Sequence, residues 1–209
     1  HVNPPRKTRL GTVGPPVPGV EVKLAPVEGA GPDEGEVCIR GPNVMLAYFE
    51  NPEATAEVME DGWFHTGDIG RIDRDGYLSI CGRCKNVIVS AAGKNIYPEE
   101  VEDELMRSPY FKEVCVLGKR SKKGGEEVYA VIVPNAEFFE ERGETGREAE
   151  IVEREVREAS SRLADYKRVQ GIGILDQELP KTTTLKHKRA EVVRLLREKG
   201  LWETEDSAG

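Results

Sequence analysis

Three polar clusters in this chain combine residue types that can do chemistry. The first is Trp63-Phe64-His65-Thr66-Gly67-Asp68, where bulky residues run into a Thr-Gly-Asp turn. An ionised carboxylate at Asp68 could accept two hydrogen bonds from vicinal hydroxyls such as those of a ribose. The same aspartate also reads as a turn residue capping its own backbone, and His65 reads as structural. The second is Gly82-Arg83-Cys84-Lys85-Asn86. Arg83 offers a planar fork of donors suited to a phosphate or ribose oxygen; the plain alternative is an exposed linker with two solvated cations. The third is Pro180-Lys181-Thr182-Thr183-Thr184-Leu185-Lys186-His187-Lys188-Arg189, with no acid between Glu178 and Glu191. A basic, hydroxyl-rich loop feeding a helix could hold an anion. A nucleic-acid patch or a basic helix end would look alike, though the acidic chain argues against the first.

Other chemistries lack their residues. There is no Gly-x-x-x-x-Gly-Lys-Ser/Thr phosphate cradle and no Gly-x-Ser-x-Gly elbow. Cys81 and Cys84 form a C-x-x-C pair, but a zinc site needs two further ligands at close spacing. Cys38, Cys115 and the three histidines do not offer them in sequence, so no metal site is expected. Four cysteines in 209 residues do not make a secreted disulfide scaffold, which favours a reducing, cytoplasmic setting. A net charge of −8 argues against nucleic-acid binding. No apolar run reaches the roughly 18 residues of a membrane span, and no leader is recognisable. The first residue is His1, not Met, which suggests a chain cut or processed from something longer.

The elements that must position these clusters fall into two regions. Residues 1–82 carry 7 basic and 13 acidic groups, a net −6; residues 83–209 carry 23 and 25, a net −2. The first region is rich in Gly and Pro. Its strand-like runs are 20–24, 36–40 and 77–80, with Asp75-Gly76 as a turn. Residues 51–59 read as a short helix with Pro52 in its first turn. In the second region, 86–89, 113–117, 128–133 and 171–175 read as strands. Helices are expected from Pro98, over 147–163 with Val152, Val156, Ala159 and Leu163 on one face, and over 185–199 with Gly200 as the stop. Residues 137–150 read as a solvated, charged loop and helix entry. The resulting class is α+β: a β-rich segment over 1–82, a linker at 83–86, a small mixed sheet with packed helices over 87–202, and a frayed tail at 203–209.

Taken together and in order, these segments resemble the adenylate-forming (AMP-binding) superfamily, which includes acyl-CoA synthetases, luciferases and peptide-synthetase adenylation domains. The likeness runs from Gly11 to Gly200. Its motifs are Gly11 to Val22, Gly35-Glu36-Val37-Cys38-Ile39-Arg40-Gly41-Pro42, Trp63 to Asp68, Gly82-Arg83-Cys84-Lys85, Gly93-Lys94-Asn95-Ile96-Tyr97-Pro98-Glu99-Glu100 and Pro180 to Lys186. The resemblance, closest to fatty-acyl–CoA ligases, implies the end of a β-barrel-like subdomain joined to a mobile domain. It implies a ligase that forms an acyl-adenylate from ATP and a carboxylic acid, then passes the acyl group to coenzyme A. By the same resemblance Asp68 would hold the ribose, Arg83 would assist at ribose and phosphate, Lys85 would be the hinge, Gly93 and Lys94 would face the coenzyme A arm, and Lys186 would be catalytic. Magnesium would accompany ATP with its ligands elsewhere. The phosphate loop, adenine site and most of the acyl pocket would lie in a partner region upstream, so the chain alone should not turn over ATP. A carrier protein as acceptor, or a non-catalytic module with the same fold, are the competing readings. One departure is Leu185, where the family has glycine: leucine disfavours positive φ, which predicts a loop of different shape.

Overall fold

The computed structural model describes residue 3 and residues 7–122 and 124–202; the tail expected at 203–209 lies outside them. The chain divides into two compact units between Val87 and Ile88.

The first unit is built on an antiparallel five-stranded sheet. Its elements are β1 (Glu21–Ala25), β2 (Glu34–Arg40), α1 (Pro52–Val58), β3 (Met59–Glu60), β4 (Trp63–Ile72) and β5 (Leu78–Arg83). The strand order is β1-β2-β4-β3, and β5 also pairs with β4. The Asn51 side chain accepts from the Ala54 N–H to cap α1, and Pro52 opens it. The β4–β5 hairpin turns at Asp73–Gly76, where the Asp73 carboxylate accepts the N–H groups of Asp75 and Tyr77 at 2.9 Å each. Val37, Cys38, Ile69 and Leu78 are buried in this sheet.

One expectation fails here. Thr66-Gly67-Asp68 is not a turn but the middle of the ten-residue strand β4. Gly67 sits at φ +69°, and the register slips at Glu36/Cys38 on one side and Ile69/Gly70 on the other. The glycine makes a bulge, which re-aims the next side chain without ending the strand.

The second unit contains β6 (Ile88–Val89), β7 (Asn95–Ile96), α2 (Pro98–Leu105), β8 (Phe111–Arg120), β9 (Glu126–Pro134), α3 (Ala136–Arg142), α4 (Glu148–Ser161), β10 (Val169–Ile174) and α5 (Arg189–Glu198). Strands β6 and β7 form a small hairpin. The main sheet has order β10-β9-β8, antiparallel between β8 and β9 and parallel between β9 and β10. Both faces are covered, which is why its strands read as near-continuous apolar runs. Val114, Val116, Val128, Ala130 and Ile132 face a core shared with Val101 and Leu105 of α2 and Ile151, Val152 and Val156 of α4. Cys115, Leu117, Tyr129, Val131 and Val133 face the opposite core, with Val192 and Leu196 of α5. Alternate residues serve opposite faces because strand side chains alternate.

Two further expectations are corrected. Residues 137–150 are not all loop: α3 occupies 136–142, capped by the Asn135 side chain and closed by Gly143 at φ +67°. Its anchor is Phe139, 1% exposed, edge-on to Tyr110 at 5.1 Å. The last helix starts at Arg189, not Leu185, because residues 182–186 close a separate loop.

Candidate active site

Each predicted residue has a definite place. Asp68 and Arg83 are cross-strand partners on β4 and β5, and the Arg83 Nε lies 2.8 Å from the Asp68 Oδ1. The contact is electrostatic, since the Nε–H is not aimed at an acceptor. The Arg83 Nη2 donates to the Thr66 carbonyl at 3.1 Å. Both side chains are more than a third exposed, so each keeps surface for a ligand.

The bulge that presents Asp68 is tied down on its core side. Thr66 Oγ1 donates to the Val37 carbonyl at 2.8 Å and accepts the Asp68 N–H at 3.1 Å. Glu36 accepts the Gly67 N–H at 3.0 Å with one oxygen, and its other oxygen lies 2.8 Å from the His65 Nδ1. His65 thus acts as structure, held by Glu36. The Asp68 carboxylate faces an arginine, not its own backbone.

Lys85 lies in a single turn of 3-10 helix, Cys84–Asn86, which follows β5. Burial pushes the Cys84 thiol above its ordinary range, the reverse of what a redox C-x-x-C needs.

The remaining predicted residues belong to the second unit. Gly93 and Lys94 form the tip of the β6–β7 hairpin. Gly93 has φ +68°, and a side chain there would meet nothing within 4 Å. The tip is closed by the Ser90 N–H donating to the Lys94 carbonyl at 3.0 Å and the Gly93 N–H donating to the Ser90 carbonyl at 2.8 Å.

Lys186 sits at the end of a tight loop. Thr182 and Lys186 close it through the Thr182 N–H and the Lys186 carbonyl at 2.8 Å, and the Leu185 N–H donates to the Thr182 carbonyl at 3.0 Å. Leu185 takes φ +62°. Leucine here adopts the left-handed conformation that it disfavours, completing a three-residue turn with its bulge position. The Leu185 side chain is exposed, so nothing sterically opposes it beyond the backbone strain. Among the described residues no carboxylate lies within ion-pair distance of the Lys186 ammonium, whereas Lys181 pairs with Glu113 at 2.9 Å and Lys188 with Glu191 at 2.9 Å.

Asp68 and Arg83 are thus brought together; Lys85 follows on the same unit, and Gly93, Lys94 and Lys186 lie on the other.

Sequence spacing missed several groups that pairing assembles. Cys38 stands opposite His65 in the β2–β4 register, which gathers Glu36, Cys38 and His65. Glu102, Cys115 and His187 gather likewise. The statement that these cysteines and histidines find no ligand partners therefore holds only along the chain. Both carboxylates are already engaged: Glu36 as above, and Glu102 by the Val116 N–H and the Arg189 guanidinium at 2.8 Å each. Burial raises the Cys115 thiol to about 12, raises Glu102 against the pull of Arg189, and lowers His187.

Residues 100–186 match the model of the AMP-binding enzyme C-terminal domain, and residues 1–49 match that of the AMP-binding enzyme. The chain belongs to the AMP-binding enzyme family. It is 41% identical over 170 residues to an indoleacetate–CoA ligase of Aromatoleum aromaticum, covering 81% of this chain and 31% of that protein. It is 44% identical over 126 residues to a long-chain-fatty-acid–CoA ligase of Salmonella typhimurium, covering 59% of this chain and 22% of that protein. The o-succinylbenzoate CoA synthetase of Bacillus subtilis, solved with its acyl-adenylate intermediate, superposes with a TM-score of 0.72 at 32% identity, over 88% of this chain and 36% of that one. The chain spans about a third or less of the length of these relatives. No helix among the described residues is long and apolar enough to cross a membrane.

Proposed function

We propose that this chain is the carboxy-terminal portion of an ATP-dependent acid–thiol ligase of the acyl-CoA synthetase type. The observation that carries the reading is the uncommitted Lys186 ammonium at the end of a closed, hydroxyl-rich loop, beside two lysines that are both paired. The supporting comparisons are with proteins named as CoA ligases.

In the first step a carboxylate oxygen of the acid attacks the α-phosphorus of ATP. An acyl–phosphate bond forms and the bond to pyrophosphate breaks. Negative charge builds around the α-phosphorus, and the Lys186 ammonium bridges it to the acyl oxygen. Asp68 accepts the ribose hydroxyls, and Arg83, 2.8 Å away, steadies that carboxylate and reaches the ribose and phosphate oxygens. In the second step a thiolate attacks the acyl carbonyl, a thioester forms and AMP leaves. Lys186 must withdraw before the thiol can enter, so Lys85 serves as the pivot of a domain swing. The hairpin tip at Gly93 and Lys94 then faces the acceptor arm. Its bare left-handed glycine leaves room for close approach, and Lys94 supplies positive charge toward coenzyme A. Magnesium accompanies ATP, with its ligands in the upstream region. The relatives named as CoA ligases favour coenzyme A over a carrier protein and an enzyme over a silent module, and a fatty acid is one candidate substrate.

Lys186→Ala in the full-length enzyme should reduce acid-dependent pyrophosphate release by about 10²–10³-fold. Thioester formation from preformed acyl-adenylate should continue. Unchanged pyrophosphate release would refute the assignment.

A further inference from the structure

Glu113 is a carboxylate 6% exposed at the edge of a hydrophobic core, and none of the chemistry above uses it. Its three neighbours all belong to the segment that carries Lys186. One oxygen accepts the Leu179 N–H at 3.1 Å, and the other lies 2.9 Å from the Lys181 ammonium. The His187 Nε2 stands 3.6 Å away, beyond hydrogen-bond length, and its buried nitrogen finds no partner. Lys181 and His187 face each other as an antiparallel bridge, and the Lys188 N–H donates to the Pro180 carbonyl at 2.9 Å. Glu113 therefore sits at the stem of the loop, touching its incoming limb and facing its outgoing one.

Burying a charge is costly unless it is paired and hydrogen-bonded. Here the carboxylate is tolerated because the loop itself supplies the cation and the N–H. The Leu179 side chain anchors the incoming limb in the core, while the tip makes no such contact: Leu185 is exposed, and the threonine hydroxyls at 182 and 184 bond each other at 3.0 Å. Beyond the stem, the start of α5 is fastened separately by Arg189, which donates to the Val116 carbonyl at 3.2 Å and to Glu102.

We propose that Glu113 is the positioning residue of the Lys186 loop, a buried carboxylate on rigid β8 that holds the incoming limb of the stem, to which the outgoing limb is paired, and so sets where the ammonium is delivered. The inference rests on the functional reading of Lys186, and the test separates the two. In the full-length enzyme, Glu113→Ala should lower kcat for adenylation by about a hundredfold, the scale of a 1 Å misplacement. The KM for ATP and the rate of thioester formation from preformed acyl-adenylate should hold. Glu113→Gln keeps an acceptor for the Leu179 N–H and should recover part of the loss. Lys181→Met, which leaves the core intact, should lower the same step if the alanine variant does not fold. In the 209-residue chain, hydrogen exchange at the Thr182 and Lys188 amides should quicken in these variants while Val131 and Val192 keep their protection. Wild-type adenylation in the Glu113 variants beside a collapse in Lys186→Ala would overturn the positioning role. So would unchanged stem exchange, or equal loss of both half-reactions. An unaffected Lys186→Ala would instead bring down the functional reading.

Discussion

Leu185 occupies a backbone region that a leucine enters only at a cost of about 1–2 kcal/mol, at φ +62° with its side chain in solvent. The hydrogen bonds that close the loop at Thr182, Leu185 and Lys186 hold it there. Glycine would relieve that strain but would lose about 0.5–1 kcal/mol through its freer unfolded chain. Strain is the larger effect, so Leu185→Gly should raise stability by about 0.5–1 kcal/mol, read as a higher urea midpoint with unchanged slope. A lowered midpoint would mean that the loop is not strained at this position. The chemistry of this residue was legible in the sequence; its conformation was not, because propensity is a local average and ring closure between residues 182 and 186 overrides it.

The elements show the same division at a larger scale. The strands β8 and β9 were readable because alternate residues serve two buried faces, which makes an apolar run. Helix α4 was readable from the spacing of Val152, Val156 and Ala159, all buried. Helix α3 was hidden. Its seven residues include three acids and one arginine, and Phe139 is its buried anchor. Phe139→Ala should therefore cost about 3–5 kcal/mol and lower the urea midpoint of the chain, whereas replacing exposed Glu137 should not. A small effect at Phe139 would show that α3 is held by its caps alone. The bulge at Gly67 was misread for a related reason: Thr-Gly-Asp has the composition of a turn, but the strands on either side supply partners that carry it through as β4.

For the whole molecule, the residues proposed to serve the two half-reactions are divided between two compact units, with Asp68, Arg83 and Lys85 before residue 88 and Gly93, Lys94 and Lys186 after it. The chain also spans a third or less of its relatives. On the proposed reading, the groups that cradle the triphosphate and the acid belong to the remainder of the enzyme. The purified 209-residue chain should thus release no pyrophosphate from ATP and a carboxylic acid, and adding either substrate should not shift its thermal midpoint. Turnover by this chain alone would refute that division of labour.

The sequence by itself determined the α+β class, the main strands and the family, because periodic apolar patterns and short ordered motifs are local properties that survive without coordinates. Tertiary structure alone decided which distant residues meet. Asp68 reaches Arg83 through the β4–β5 register, His65 reaches Glu36 across β2 and β4, and Glu113 reaches Lys181 over 68 positions of chain. Such contacts depend on register and crossover, and a one-residue slip would send each side chain to the opposite face.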